Sequence, residues 1–314
     1  MKRGSPVQPL TIARTVILLS VVIVWGINSV LIKYLVLAVP PLVLQTLRVS
    51  LASLFLAVLV PRAVWRKVWQ APEVLRPAFW AAFFSVLLHQ ICMGYGMESG
   101  QAGLNSLILS LNPLAMAVLA HIFLGERLTW RRLVGVVIGF TGVTLMVGSE
   151  YDWQFGGLGV GLSELIIFGA MLTFVIGNLF VRRAAGLISA IHFTALTQIF
   201  GALMLWPFAG LELAVSGRPA WPEEWTYWAL LVASAALGTA YSNVLWNRSI
   251  QEVGAARTSM FLNLMPLASL VTANWLFAEA ITPARWAGLA AVVTGIYLGA
   301  VHKESAARRL VAGS

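Results

Sequence analysis

The sequence predicts an all-α integral membrane protein: ten transmembrane helices arranged as two inverted five-helix repeats, with both termini cytoplasmic. Three observations carry this expectation: composition, the placement of charge, and an internal repeat. Of the 314 residues, 59% are hydrophobic and only 11% charged, against about 25% charged in a soluble domain. The mean hydropathy is +0.84. Such a chain cannot hide its apolar surface in one water-soluble core, which argues against a soluble enzyme, a nucleic-acid binder or a disordered regulator.

A bilayer core takes about 20 mostly apolar residues per helix. Windows of that kind fall at 15–34, 42–60, 77–97, 102–123 and 132–148, then at 160–181, 189–209, 227–247, 257–277 and 285–301. The longest stretches between them, 61–76 and 210–226, read as loops too short to fold alone. The tails 1–14 and 302–314 are basic and read as disordered, and 149–159 reads as a linker on the outer side. With the N-terminus inside, 17 of the 21 Lys and Arg fall on the cytoplasmic side and two, Arg218 and Arg285, outside, while Lys33 and Arg48 lie within spans. This asymmetry follows the positive-inside rule. It explains the net charge of +9 without a nucleic acid.

Shifting the chain by 153 positions lays Pro113-Leu114-Ala115 on Pro266-Leu267-Ala268, Glu126 on Glu279, Gly135 on Gly288, and Thr141-Gly142 on Thr294-Gly295. Between 102 and 145, 16 of 44 positions are identical to their counterparts. A shift of 149 lays Trp25 on Phe174, Ser29 on Asn178 and Lys33 on Arg182. Five helices per half is an odd number, so the second half enters the membrane from the opposite side. The domains expected are thus a repeat over 15–148 and a repeat over 160–301. Inverted repeats of this type recur in transporters, whose substrate sites lie near the bilayer midplane between the halves.

The runs WGINSVLIKYL (Trp25–Leu35) and LSLNPLAMAVLAHIFLGERLTWRRLVGVVIGFTGVTL (Leu109–Leu145), with the second copy LNLMPLASLVTANWLFAEAITPARWAGLAAVVTGIYL (Leu262–Leu298), resemble EamA domains. Over nearly its whole length the chain resembles a ten-helix member of the drug/metabolite transporter superfamily. That resemblance implies export or exchange of small metabolites, commonly amino acids and related compounds. The second copy departs from the first, with AEA for GER and Phe174-Val175 for the Trp-Gly of the first helix. The halves therefore need not contribute equally.

Polar side chains inside a membrane tend to face protein or water. Trp25, Asn28, Ser29 and Lys33 share one face of the first helix. They read either as a cavity wall or as a packing face with Lys33 reaching the outer interface. Phe174, Gly177, Asn178 and Arg182 trace the related face of the sixth helix. Gln45 and Arg48 lie one turn apart in the second. Arg48 suits a substrate carboxylate, because guanidinium binds carboxylates in bidentate fashion; a structural bond to carbonyls or to Asn112 is the alternative. His89 and Gln90 lie mid-helix. His89 could couple proton movement or simply be bonded within the bundle. Glu164, about one turn into the sixth helix from the outer side, reads either as a buried acid or as an interfacial residue in water.

Asn112-Pro113 and Asn263 with Pro266 interrupt the fourth and ninth helices, which deprives the carbonyls of Leu109 and Leu262 of their helical partners. Pro113 and Pro266 are therefore hinge candidates, with a static kink as the alternative. Tyr241, Ser242, Asn243, Trp246 and Asn247 in the eighth helix, and Thr194 and Gln198 in the seventh, complete the candidate substrate-binding residues. Glycines 135, 139, 142, 295 and 299 predict close packing, within the bundle or in a homodimer, and Glu126 and Glu279 predict structural pairing with arginines.

No catalytic or metal site is expected. Asp152 is the sole aspartate and Cys92 the sole cysteine, which excludes an aspartate dyad and an internal disulfide. His89, His121, His192 and His302 form no His-Glu-x-x-His motif, and no G-x-x-x-x-G-K-[ST] loop occurs. The expected partners are a small-molecule substrate and the lipid bilayer. No cofactor is expected, and a bacterial inner membrane is the expected location. A membrane-embedded enzyme and a non-transporting receptor fit less well, and exporters of nucleosides, sugars or drugs share the same general features.

Overall fold

A computed structural model of the chain describes residues 8–99, 108–148, 161–217, 221–268, 271–272 and 282–301, and within them leaves out the side chains of Lys33, Arg285 and residues 97–99, 146–148 and 300–301. Among these residues every regular element is helical. The linker 149–159, the C-terminal tail, the later part of the ninth span and Glu279 fall outside the described residues. Among the described residues, six stretches are long and apolar enough to cross a membrane: Ile12–Ile32, Pro41–Leu59, Pro72–Gly96, Leu162–Arg183, Ala190–Ser216 and Trp225–Val253. Asn112–Leu124 and Trp286–Gly299 are shorter apolar helices.

The first half contains α1 (Ile12–Leu35), α2 (Pro41–Leu59), α3 (Arg62–Val68), α4 (Pro72–Ala82), α5 (His89–Ser99), α6 (Asn112–Leu124) and α7 (Trp130–Gly148). The second contains α8 (Leu162–Arg183), α9 (Ala190–Ser216), α10 (Trp225–Ala233), α11 (Ser242–Val253), α12 (Ala255–Ser259) and α13 (Pro283–Ile296). Thr11 caps α1 by accepting from the Arg14 amide. Proline opens α2 and α4 within the first turn, where its missing N–H costs nothing. Gly125, with φ of +67°, closes α6 in the left-handed conformation.

Two expected loops are shorter than the sequence suggests. Residues 61–76 contain α3, which buries Val68 and presents Arg62, Arg66 and Lys67 outward. Trp65 of α3 donates its indole N–H to the Ala57 carbonyl at 3.3 Å. Helix α9 runs on to Ser216, because Leu213 packs with Tyr227 and Leu231 and Glu212 finds partners in α2. The amides of Leu42 and Val43 donate to the Glu212 carboxylate at 3.3 and 2.9 Å. The N-cap residue of α2 is Pro40, which offers no side-chain cap, so a carboxylate from the other half meets the helix's positive end. Glu126 does the same for α12: the amides of Ala255 and Ala256 donate to it at 2.9 and 3.2 Å. Arg182 lies 3.7 Å away.

Helices α7 and α13 cross in backbone contact. A Cβ on Gly135 would lie 2.5 Å from the Gly295 carbonyl oxygen, and one on Gly142 would lie 2.6 Å from that of Gly288. The early glycine of each helix meets the late glycine of the other, so the two run antiparallel. The shift of 153 turns Gly135 into Gly288 and Gly142 into Gly295. Each contact thus maps onto the other with its members exchanged, the pattern of a two-fold axis. The glycine faces expected from sequence are used within the chain.

The third and eighth spans carry a feature the sequence analysis did not foresee. Between α4 and α5 the helix widens into π-type turns at Phe83–Leu88, and between α10 and α11 at Ser234–Tyr241. Under the shift of 153 the first falls on 236–241, within the second. Wide turns of this kind inside α-helices are frequent at functional sites. A third, Tyr297–Val301, ends the last helix.

Candidate functional site

Helices α1, α2, α8 and α9 meet the two wide turns in the middle of the bundle, and most of the predicted site residues lie there. Trp25 donates its indole N–H to the Gly238 carbonyl at 2.9 Å, an acceptor in the second wide turn. Asn28, three residues on, accepts at Oδ1 from the Ser234 hydroxyl at 2.6 Å. Gly238 leaves room for it, since a Cβ there would collide with the Asn28 carboxamide. Ser29 donates to the carbonyl of Gly26 in its own helix at 2.7 Å.

Arg48 is buried, at 4% exposure. Its Nε donates to Ser234 at 2.8 Å, Nη1 to Gln45 at 2.5 Å and Nη2 to Thr239 at 3.2 Å. No carboxylate lies within ion-pair distance of it among the described residues. The guanidinium is therefore solvated by three neutral oxygens, two of them from the wide turn, and ties α2 to the eighth span. Desolvating a cation is costly unless its donors are met, and here at least three are.

An aromatic row crosses the same level. Trp25 and Trp246 have ring centroids 5.1 Å apart, Trp246 and Phe174 6.3 Å, and Phe174 and His89 5.2 Å. The row joins α1, α11, α8 and α5, two helices from each half. Trp246 is buried and donates to Asn178 Oδ1 at 3.1 Å. His89 Nδ1 lies 2.9 Å from the Ala170 carbonyl. A carbonyl only accepts, so Nδ1 carries the proton and Nε2 is left as an acceptor. Asn247 donates to Thr194 at 2.9 Å.

Other predicted residues lie apart from this row. Asn112 donates to the Leu109 carbonyl at 2.8 Å, so its side chain replaces the donor that Pro113 removes. In the ninth span the chain tightens into a 3-10 turn, Met260–Leu264, and the Met265 amide donates to the Leu262 carbonyl. Both proline breaks thus find substitutes, by a side chain in one half and by backbone in the other. Tyr241 points away from the row and is 45% exposed on the outside of the bundle. Asn243 is half-buried. Glu164 sits at the start of α8 and accepts from the Gly161 amide and the Ser163 hydroxyl at 2.9 and 2.8 Å.

Besides Ser50 Oγ, Arg132 Nε and Gln251 Nε2, four amide side chains among the described residues, all of them on buried residues, keep one polar atom without a protein partner: Asn112 Oδ1, Asn178 Nδ2, Gln198 Oε1 and Asn263 Oδ1. They come from the fourth, sixth, seventh and ninth spans. Sequence reasoning placed three of them among the substrate-binding candidates and singled out Asn263 only for its proline. Among the described residues no group of His, Cys, Asp and Glu could hold a metal ion.

The model of the EamA-like transporter family matches residues 14–148 and 161–300. An uncharacterized transporter of Archaeoglobus fulgidus is 26% identical over 286 residues, covering 90% of this chain and 97% of that protein. The uncharacterized transporter YoaV of Bacillus subtilis is 28% identical over 291 residues, 90% of this chain and 94% of its own. A probable amino-acid metabolite efflux pump of Escherichia coli is 24% identical over 296 residues, 90% of this chain and 93% of that protein. A protein crystal structure superposes with a TM-score of 0.73 at 18% identity, covering 95% of this chain and 98% of that one.

Proposed function

The chain belongs to the EamA-like transporter family and is a membrane transporter, not an enzyme; on that premise we propose that it moves small organic metabolites, amino acids or similar zwitterions, by alternating access through a cavity between its two halves. The observation that carries this reading is the set of buried amide atoms on Asn112, Asn178, Gln198 and Asn263 that lack a protein partner. In hydrocarbon each unsatisfied polar group costs several kcal/mol, so such groups are kept where a hydrated, polar solute passes. The aromatic row of Trp25, Trp246 and Phe174 supplies apolar surface beside them, and His89 Nε2 an acceptor. Arg48 stands behind this surface and keeps the second and eighth spans in register.

The topology that goes with this reading has ten spans in two inverted repeats, 15–148 and 160–301, joined on the outer side at 149–159, with both tails in the cytoplasm of a bacterial cell. The exchanged glycine contacts of α7 and α13 support it, as does the positive-inside charge pattern. Pro113 and Pro266 then lie on matched, interrupted helices that rock as the cavity changes sides. The direction proposed is export or exchange, supported by the name of the E. coli relative.

Counterflow of labelled amino acids into proteoliposomes, one compound at a time and with or without a pH gradient, tests the reading. At least one amino acid should exchange, and Trp25→Ala should lower its rate by about tenfold, the equivalent of 1.4 kcal/mol. Absence of exchange for every amino acid by folded protein removes this substrate class and moves the search to nucleosides, sugars and cationic drugs.

A further inference from the structure

A groove of about 250 Å³ opens on the outside of the bundle between the start of α4 and the end of α8, away from the aromatic row. It is smaller than drug-sized pockets of roughly 300–1,000 Å³ and has a charged rim over an aromatic floor. Glu73, Arg76 and Trp80 line it from α4, at successive turns of one helix face, and Phe180, Arg183 and Leu187 line it from the other side. The floor is continuous: Trp80 stacks on Phe84 at 6.0 Å and Phe84 on Phe180 at 6.1 Å, the latter pair almost parallel. The Arg183 guanidinium lies 5.5 Å from the centre of the Phe180 ring.

Both helices are membrane spans, and the groove lies at their ends, where the headgroup layer meets the protein. Tryptophan and arginine favour that level because each offers apolar surface together with a polar tip. Glu73, Arg76 and Arg183 are exposed, and none joins any of the three ion pairs among the described residues. Glu73 and Arg76 are one turn apart and still do not pair. Two cations and one anion are thus presented together to the lipid.

We propose that this groove binds the headgroup of an aminophospholipid of the phosphatidylethanolamine type, its phosphate between Arg76 and Arg183 and its ammonium on Glu73. Charge complementarity selects this occupant. Phosphatidylglycerol matches the arginines but offers Glu73 no cation. Phosphatidylcholine carries a cation whose methyl groups leave no N–H to donate to the carboxylate. The ethanolamine headgroup alone of the three offers the arginines a phosphate and Glu73 a cation with N–H to donate. Its glycerol and acyl portion then runs over Trp80 and Leu187. The proposal holds whichever face of the membrane this end of the bundle occupies.

The test is native mass spectrometry of the full chain released from detergent, with phosphatidylethanolamine, phosphatidylcholine or phosphatidylglycerol of matched acyl chains added in turn. The wild-type chain should retain phosphatidylethanolamine at about tenfold lower concentration than the other two, the size of one charge-assisted bond. Arg76→Gln and Arg183→Gln should each erase that preference, and Glu73→Gln should transfer it to phosphatidylglycerol. Arg248→Gln, at an exposed arginine outside the groove, should change nothing. Equal retention of the three lipids by the wild-type chain overturns the proposal without reference to any variant. So does an unchanged preference in folded Arg76→Gln and Arg183→Gln.

Discussion

Asn28 against Gly238 and Ser85 against Gly177 are one contact built twice. Shifts of 149 and 153 carry Asn28 to Gly177 and Ser85 to Gly238. In each, a polar side chain presses on a glycine of a neighbouring span: Asn28 on Gly238, and Ser85 on Gly177. The larger member lies in α1 in the first contact and in a wide turn in the second. What surrounds them differs. Beside Asn28 stands Ser234, and behind Ser234 stands Arg48 with Gln45 and Thr239. Beside Gly177, Ser85 donates to the Ala81 carbonyl of its own helix. The position matching Arg48 holds Thr197, which donates to Thr194 in the preceding turn. One crossing is tied by a buried cation that draws its acceptors from its own helix and the eighth span, the other by hydroxyls that bond within their own helices. Duplication sets where helices meet, and each copy then meets its polar groups in its own way.

Substitutions can break this contrast. The largest effect is expected at Gly177→Val, where a Cβ would stand 2.8 Å from the Ser85 amide nitrogen. Backbone cannot withdraw, and overpacking should cost about 3 kcal/mol, read as loss of monodisperse protein on heating in detergent. Gly238→Ala meets only the end of the Asn28 side chain, which can move away once it gives up Ser234, so about 1–2 kcal/mol is expected. Equal losses at the two glycines would erase the distinction between a backbone and a side-chain obstacle.

Arg48→Met should cost about 2 kcal/mol, because it removes three hydrogen bonds inside the bundle. The matched Thr197→Val should cost under about 1 kcal/mol, since only one local bond is lost. A Thr197 loss as large as that of Arg48 would show that the second crossing is not self-contained. The smallest effect is expected for Ser85→Ala, within about 0.5 kcal/mol, by the same melting measurement.

Six of the span positions are legible in the sequence because hydrophobic windows are local signals, and so are the polar residues set among them. Trp25 and Asn28 were placed on one face by helical spacing, and both do reach the same wide turn. What those residues touch was not legible. Sequence allows Arg48 a substrate carboxylate or a structural bond to carbonyls or to Asn112, and does not point to Ser234 and Thr239, its protein partners 186 and 191 residues away. The wide turns left no signal of their own, since π-type and α-type turns share the same apolar periodicity. Tyr241 lies on the outside of the bundle, five residues before Trp246 and so about 140° around the helix from it. The Asn112 side chain replacing a proline's missing donor could have been anticipated, because an asparagine directly before the break is well placed to supply it.

The Glu212 carboxylate finishes the start of α2 from 170 residues further along the chain. Ribosomes add about 5–20 residues per second, so the second helix waits roughly 10–30 s for its cap after leaving the exit tunnel. During that interval its first amides face the headgroup layer bare, and the first five helices are an unfinished protein. The seventh span, α9, therefore carries a completion signal for the first half during biogenesis. A chain truncated after Arg183 should insert its spans and yet remain open to the membrane's quality-control proteases at Pro40–Val43, whereas one extended through Ser216 should be protected there.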